Sequence, residues 1–227
     1  MPQTVAQLSG APVLGISVWV LVALVLAAFA AGWVDSVVGG GGLIQLPALV
    51  IALPTDASTP EVLGTNKLSS VAGTLVATLT YLRKIRVPVA MVAPLILAAF
   101  AGSAAGSSVA RFIPKELLTP IVLVAVIVVG AYTWLRPNLG RTHEERYRGW
   151  ARAWRSALIG LVVGFYDGIL GPGTGSFFVI AIVAFLGFGF LQGTVAAKLA
   201  NLTTNVASIL VFGLHGELLW LIGGCMA

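Results

Sequence analysis

Charge is what this sequence has least of. Only 9% of its 227 residues are Asp, Glu, Lys or Arg, whereas a water-soluble domain carries about a quarter. A soluble globule of this size could not cover its surface, and that class is excluded. Cysteine is almost as scarce: Cys225 stands alone, so no internal disulfide framework exists. The sequence has no G-x-x-x-x-G-K-[ST] run that would cradle a nucleotide triphosphate. His143 and His215 lack metal-ligand company, and no metal or cofactor is expected. No Lys or Arg precedes the first apolar run in MPQTVAQLSGAP, which argues against a cleaved signal peptide. The net charge of +5 sits mostly in two short segments and reads as membrane-flanking loops rather than as a nucleic-acid surface.

What is present in excess is apolar length. The sequence is 58% hydrophobic with a mean hydropathy of +1.00, and a membrane-crossing helix takes about 20 mostly apolar residues. Such runs cover residues 13–34, 37–53, 62–82, 87–110, 117–135, 156–170, 174–189 and 191–214, with a last one opening near Leu218. Segments such as IVLVAVIVVGAY show none of the alternation of a transmembrane β-barrel. The expected fold is all-α, a polytopic helical membrane protein in the plasma membrane.

Loop charge orients it. Arg83, Lys84 and Arg86 form one basic cluster, and six arginines lie between Arg136 and Arg155 against only Glu144 and Glu145. Basic loops stay in the cytoplasm. Residues 111–116 and the segment PTDASTPE from Pro54 to Glu61 then face outward.

The chain also repeats itself. Gly32-Trp-Val-Asp35-Ser-Val-Val-Gly39-Gly-Gly41-Gly matches Gly164-Phe-Tyr-Asp167-Gly-Ile-Leu-Gly171-Pro-Gly173-Thr at an offset of 132. Lys67-Leu68 matches Lys198-Leu199 at 131, with Ser70 and Thr74 falling on Asn201 and Asn205. Missing such a duplication misreads a whole fold. We read residues 1–135 as a first repeat of about five hydrophobic segments, 136–155 as a basic cytoplasmic loop and 156–227 as a second repeat. An odd number of crossings inverts the second copy, the pattern of many secondary transporters with a mid-membrane site between the copies. The pair 156–170 and 174–189 is open to a second reading, a re-entrant hairpin of half-helices. Both readings return the chain to the same side.

Four ionisable residues interrupt the apolar runs: Asp35, Lys67, Asp167 and Lys198. A charge at the bilayer centre costs roughly 2.5 to 3.5 kcal/mol on insertion scales, so these must face a partner or a watery cavity. Lys67, Ser70 and Thr74 share one helical stripe, and Lys198, Asn201 and Asn205 share its counterpart. Two assignments fit. The lysines and amides bind an anion through charge and directed N–H donors, or the lysines pair with aspartates as internal struts. Asp35 and Asp167 are candidates for counter-charges or for proton coupling.

The glycine clusters, Gly39, Gly40, Gly41 and Gly42 in one half and Gly171, Gly173, Thr174 and Gly175 in the other, fall where a helix breaks in mid-membrane. Irregular backbone at that depth is tolerated only inside protein or beside a cavity, and the next half-helix offers free N–H groups to an anion. Close helix packing is the alternative, which suits Gly102, Gly106 and Gly130. Trp19, Trp134 and Trp220 read as interfacial anchors.

The ordered motifs GWVDSVVGGGGLIQLPAL, GTNKLSSVAGT, GFYDGILGPGTGSFF and AAKLANLTTNVASILVF closely resemble the sulfite exporter TauE/SafE family, also called the toluene-sulfonate uptake permease group, over residues 15–227. The resemblance implies a secondary carrier for sulfite, sulfonates, sulfoacetate or related organosulfur anions, working by alternating access. It also implies site elements around Gly40 and Gly173, with Asn66 and Lys67 in one half and Lys198, Asn201 and Asn205 in the other. The sulfur preference comes from the family; charge and spacing indicate only a small anion. By the repeat offset Ala227 corresponds to Ile96, so about 40 residues of the second copy are expected to be missing relative to the family. The expected partners are a small sulfur anion and the lipid bilayer, with a homo-oligomer left open and no nucleic acid. An enzyme is not expected. The alternatives are an intramembrane aspartyl protease using Asp35 and Asp167 as a proton-sharing pair, and a non-transporting membrane scaffold.

Overall fold

The computed structural model describes residues 16–38, 40–54, 56–135 and 144–227. Gly39 and His143 lie outside them. The described residues form helices and short connections without an extended strand: α1 Val18–Val38, α2 Gly42–Ala52, α3 Thr59–Leu82, α4 Val89–Ala110, a 3-10 turn Lys115–Leu117, α5 Leu118–Leu135, α6 Gly149–Ile169, α7 Thr174–Ala181, α8 Phe190–Leu214 and α9 Trp220–Met226. The all-α expectation holds. Three of them, α4, α8 and the stretch Val18–Ser36 of α1, are long and apolar enough to cross a membrane.

The short elements fall where glycine interrupts the runs. The apolar run 37–53 becomes the half-helix α2, and 174–189 becomes α7 continued by a π-helical turn, Ile182–Leu186. By contrast, α6 is full length and starts at Gly149, inside the segment read from sequence as a basic loop. Its first turns carry Arg152, whose guanidinium pairs with Glu145 at 3.1 Å, and Arg155. The Arg155 guanidinium lies over the rings of Tyr147 at 3.9 Å and Trp154 at 4.2 Å. Residues 144–148 have no regular secondary structure, and residues 136–143 lie outside the described set.

Helix α3 begins with a reciprocal cap. The Ser58 hydroxyl accepts from the Glu61 N–H, and the Glu61 carboxylate accepts from the Ser58 N–H at 2.8 Å. Such a box satisfies two otherwise orphaned donors and fixes the helix start.

Helix α6 packs along α4 with backbone almost touching backbone. A Cβ added to Gly160, Gly164 or Gly168 would meet Leu95 O at 2.2 Å, Ala99 O at 2.5 Å or Ser103 O at 2.1 Å. Because both series climb together, the two helices run in the same direction. Helices α3 and α8 run oppositely: Gly64 lies against Phe212 and Thr74 against Asn205. The loops sort into two ends. At one, Lys115 donates to Pro54 O at 2.9 Å, Thr59 to Ile113 O at 2.8 Å, and Arg111 lies 3.9 Å from Glu217. At the other, the N–H groups of Glu144 and Arg146 donate to Gly187 O and Leu186 O, and Val87 and Tyr147 pack on the same apolar cluster.

Three pairs of helices start 131 residues apart: Val18 and Gly149 open α1 and α6, Thr59 and Phe190 open α3 and α8, Val89 and Trp220 open α4 and α9.

Candidate functional site

The two glycine breaks meet at the centre of the bundle. In the first, Gly41 turns the chain back so closely on α1 that a Cβ there would lie 2.6 Å from Ala31 O and 2.8 Å from Asp35 Cβ. The Gly41 N–H, at the head of α2, is 3.4 Å from Asp35 Oδ1. In the second, Gly171 and Gly173 take φ of +91° and +77°, a region costly for any residue with a side chain. The Thr174 hydroxyl closes this turn by donating to Gly171 O at 2.6 Å, and the Tyr166 hydroxyl donates to Pro172 O at 2.7 Å. The α carbon of Gly42 faces the Pro172 backbone, 3.4 Å from where its Cβ would stand.

The four membrane-embedded charges pair crosswise between the halves. Lys67 Nζ of α3 lies 2.6 Å from Asp167 Oδ2 of α6, and Lys198 Nζ of α8 lies 2.6 Å from Asp35 Oδ2 of α1. Lys198 also donates to the backbone carbonyl of Asp35. Both lysines and Asp167 are buried, while Asp35 is 16% exposed. The strut assignment is therefore realised in geometry for both lysines. Each carboxylate is held by a different lysine, an arrangement that does not favour the proton-sharing pair of an aspartyl protease.

Beside these pairs opens a cavity of about 1040 Å³. Of the residues singled out from sequence, Gly41, Gly42, Asn66, Lys67, Ser70, Thr74, Gly171, Gly173, Thr174, Gly175, Asn201, Asn205, Asp35 and Asp167 line it. Gly40 is buried off the wall, and Lys198 sits behind Asp35 rather than on the wall. The polar stripes of α3 and α8 touch, with Asn205 Nδ2 3.4 Å from Thr74 Oγ1. Lys67 is thus the lysine that faces the cavity, and Asn66, Asn201 and Asn205 line the same space. Cation and amide donors converging on one space suit a small anion.

Sequence reasoning missed Gln45. It is buried in α2, donates to Ser69 Oγ at 2.5 Å, accepts from Ser70 Oγ at 3.1 Å and lines the cavity. The signal was there: Gln45 is the one amide in the run GLIQLPALVIA. Ser69 in turn donates to Met226 O at 2.8 Å, joining α3 to α9.

Helices broken at depth, with charges neutralised across a central cavity, are the architecture of a multi-pass membrane transporter. Comparison with known proteins places the chain more closely. The profile of the family described as sulfite exporter TauE/SafE matches residues 24–227, and the chain belongs to that family. A probable membrane transporter protein of a Sinorhizobium species is 39% identical over 88% of this chain and 75% of its own length. The probable membrane transporter protein YfcA of Escherichia coli K12 is 36% identical over 89% of this chain and 74% of its own. A probable membrane transporter protein of Haemophilus influenzae is 35% identical over 93% and 81%. No solved structure matches. The chain is a multi-pass plasma-membrane transporter, and nothing in the relatives' names points to an enzyme.

Proposed function

We propose that the protein carries a small sulfur-containing anion, such as sulfite, a sulfonate or sulfoacetate, by alternating access around the central cavity. The observation that carries this reading is the crosswise pairing of Lys67 with Asp167 and of Lys198 with Asp35. It joins positions equivalent in the two halves. The recurrence of helix starts at 131 residues and the opposed directions of α3 and α8 support an inverted repeat, residues 1–135 against 156–227, about the basic segment 136–155. The sulfur preference rests on the family description. The binding elements in this reading are Lys67 with Asn66, Ser70, Thr74, Asn201 and Asn205, and the backbone of the two breaks at Gly41 and Gly42 and at Gly171, Gly173, Thr174 and Gly175. Lys198 acts through Asp35.

Flux of labelled sulfite and of a short alkanesulfonate into proteoliposomes tests it. Lys67→Ala should lower flux at least about tenfold, the loss of one charge-assisted hydrogen bond to the anion. Wild-type flux equal to that of Lys67→Ala would refute the assignment. Binding without flux would favour the scaffold.

A further inference from the structure

We propose that Asp167 is the proton site of this carrier and that an incoming anion takes its place on Lys67, so that one proton and one anion cross together; this rests on the transport reading above. The two lysine–aspartate pairs are equivalent in sequence position and different in surroundings. Asp35 is doubly held, by Lys198 at 2.6 Å and by the Gly41 N–H at 3.4 Å, and Lys198 is doubly engaged through the carboxylate and the carbonyl of the same residue. That pair is complete in itself. Asp167 is 1% exposed, and its only polar contact among the described residues is the ion pair with Lys67; neither carboxylate oxygen accepts from any further group there. Lys67 has no other partner there either, and it faces the cavity. The buried Asn66 Oδ1 beside it is also unpartnered.

A bare carboxylate on a bare ammonium at a cavity wall is an internal anion in the substrate's position. An anion that binds Lys67 while Asp167 stays ionised sets two negative charges within hydrogen-bond reach in a low-dielectric site. Like charges so placed strongly favour a proton on one of them. Transfer of one proton from water to Asp167 Oδ2 breaks the ion pair, leaves the ammonium intact and frees it for the anion. The site then holds the same net charge before and after loading. On the far side the anion leaves, the proton leaves with it, and the ion pair closes again.

The other groups near Asp167 do not compete for this role. Helix α3 contributes Lys67. On α6 itself Tyr166 points its hydroxyl to Pro172 O. Helices α4 and α7 carry no titratable side chain. Helix α8 contributes Lys198, already bound to Asp35 of α1.

Ethanesulfonate is the probe, because the sulfonate stays ionised across the working pH range and any pH dependence belongs to the protein. In proteoliposomes with an entrapped pH dye and the membrane potential clamped, wild-type uptake should carry about one proton per anion. Because one proton is taken up with each anion, anion binding should weaken as the pH rises, by up to about tenfold per unit. Asp167→Asn, fixed in the neutral form, should exchange ethanesulfonate at a rate nearly independent of pH and move no protons, whereas Glu116→Gln, at an exposed carboxylate away from the cavity wall, should keep the coupling. Infrared difference spectra provide a second readout that needs no transport: adding ethanesulfonate to the wild type should raise a protonated-carboxyl band that Asp167→Asn lacks. Flux without proton movement, or coupling that survives in Asp167→Asn, overturns the proton site and leaves the carrier standing. The carboxyl band without flux supports the proton site and overturns the carrier. Neither band nor flux overturns both.

Discussion

The Lys198 ammonium reaches two oxygens of one residue, whereas the Lys67 ammonium reaches one oxygen and a cavity. Substitution should separate these roles. Removing one member of a buried ion pair strands the other and costs on the order of 3–5 kcal/mol; the partial exposure of Asp35 moves its case toward the lower end. Lys198→Ala is therefore expected to lower the unfolding midpoint in detergent clearly, and the double variant Lys198→Met with Asp35→Leu should recover much of the loss because both charges have gone. An unchanged midpoint for Lys198→Ala would show that the strut carries no stability. Lys67→Ala has a different signature. Its effect should fall mainly on anion flux, since Lys67 lines the cavity.

At the scale of the helices, the contact between α4 and α6 is the tightest among the described residues, and glycine makes it so. A Cβ on Gly168 would stand 2.1 Å from Ser103 O and 2.8 Å from Ser107 N, both backbone atoms that cannot swing away. Gly168→Ala must push the helices apart, and overpacking of this kind costs about 1–3 kcal/mol. Gly73→Ala on α3 is the control: its Cβ meets nothing within 4 Å, and helix propensity alone favours alanine by about 1 kcal/mol. Thermal unfolding in detergent should show a loss for the first and none for the second. Equal midpoints would mean that the α4–α6 contact is slack. The spacing of Gly102 and Gly106 announced this packing in the sequence. The partner ladder Gly160, Gly164 and Gly168 has the same spacing of four and could have been read alongside it. The half-helices α2 and α7 were legible because glycine and proline punctuate apolar runs otherwise long enough to continue. The start of α6 was not, because Arg152 and Arg155 look like loop in a hydropathy profile, although Arg152 pairs with Glu145 and the Arg155 guanidinium lies over the Tyr147 and Trp154 rings at the helix head.

Across the whole molecule, the sequence revealed which positions are equivalent but not which ones touch. Offsets of 131 and 132 align Lys67 with Lys198 and Asp35 with Asp167, and only the folded arrangement joins each lysine to the aspartate of the other half. The direction of the chain follows from the same geometry together with loop charge. Asp56, Phe112 and Glu217 belong to the end where Lys115 meets Pro54, while Arg146 and Arg148 belong to the basic end, to which the charge rule also assigns Lys84. Since basic loops remain on the cytoplasmic side, a membrane-impermeant maleimide applied to intact cells should label Asp56→Cys and Phe112→Cys in a Cys225→Ser background. Lys84→Cys and Arg148→Cys should react only after permeabilisation. Asp56, Phe112, Lys84 and Arg148 are exposed in the folded chain, so a difference in labelling reports the side of the membrane rather than burial. Labelling of Lys84→Cys in intact cells would invert the molecule. It would also turn the cavity, and the proton carried through Asp167, toward the opposite compartment.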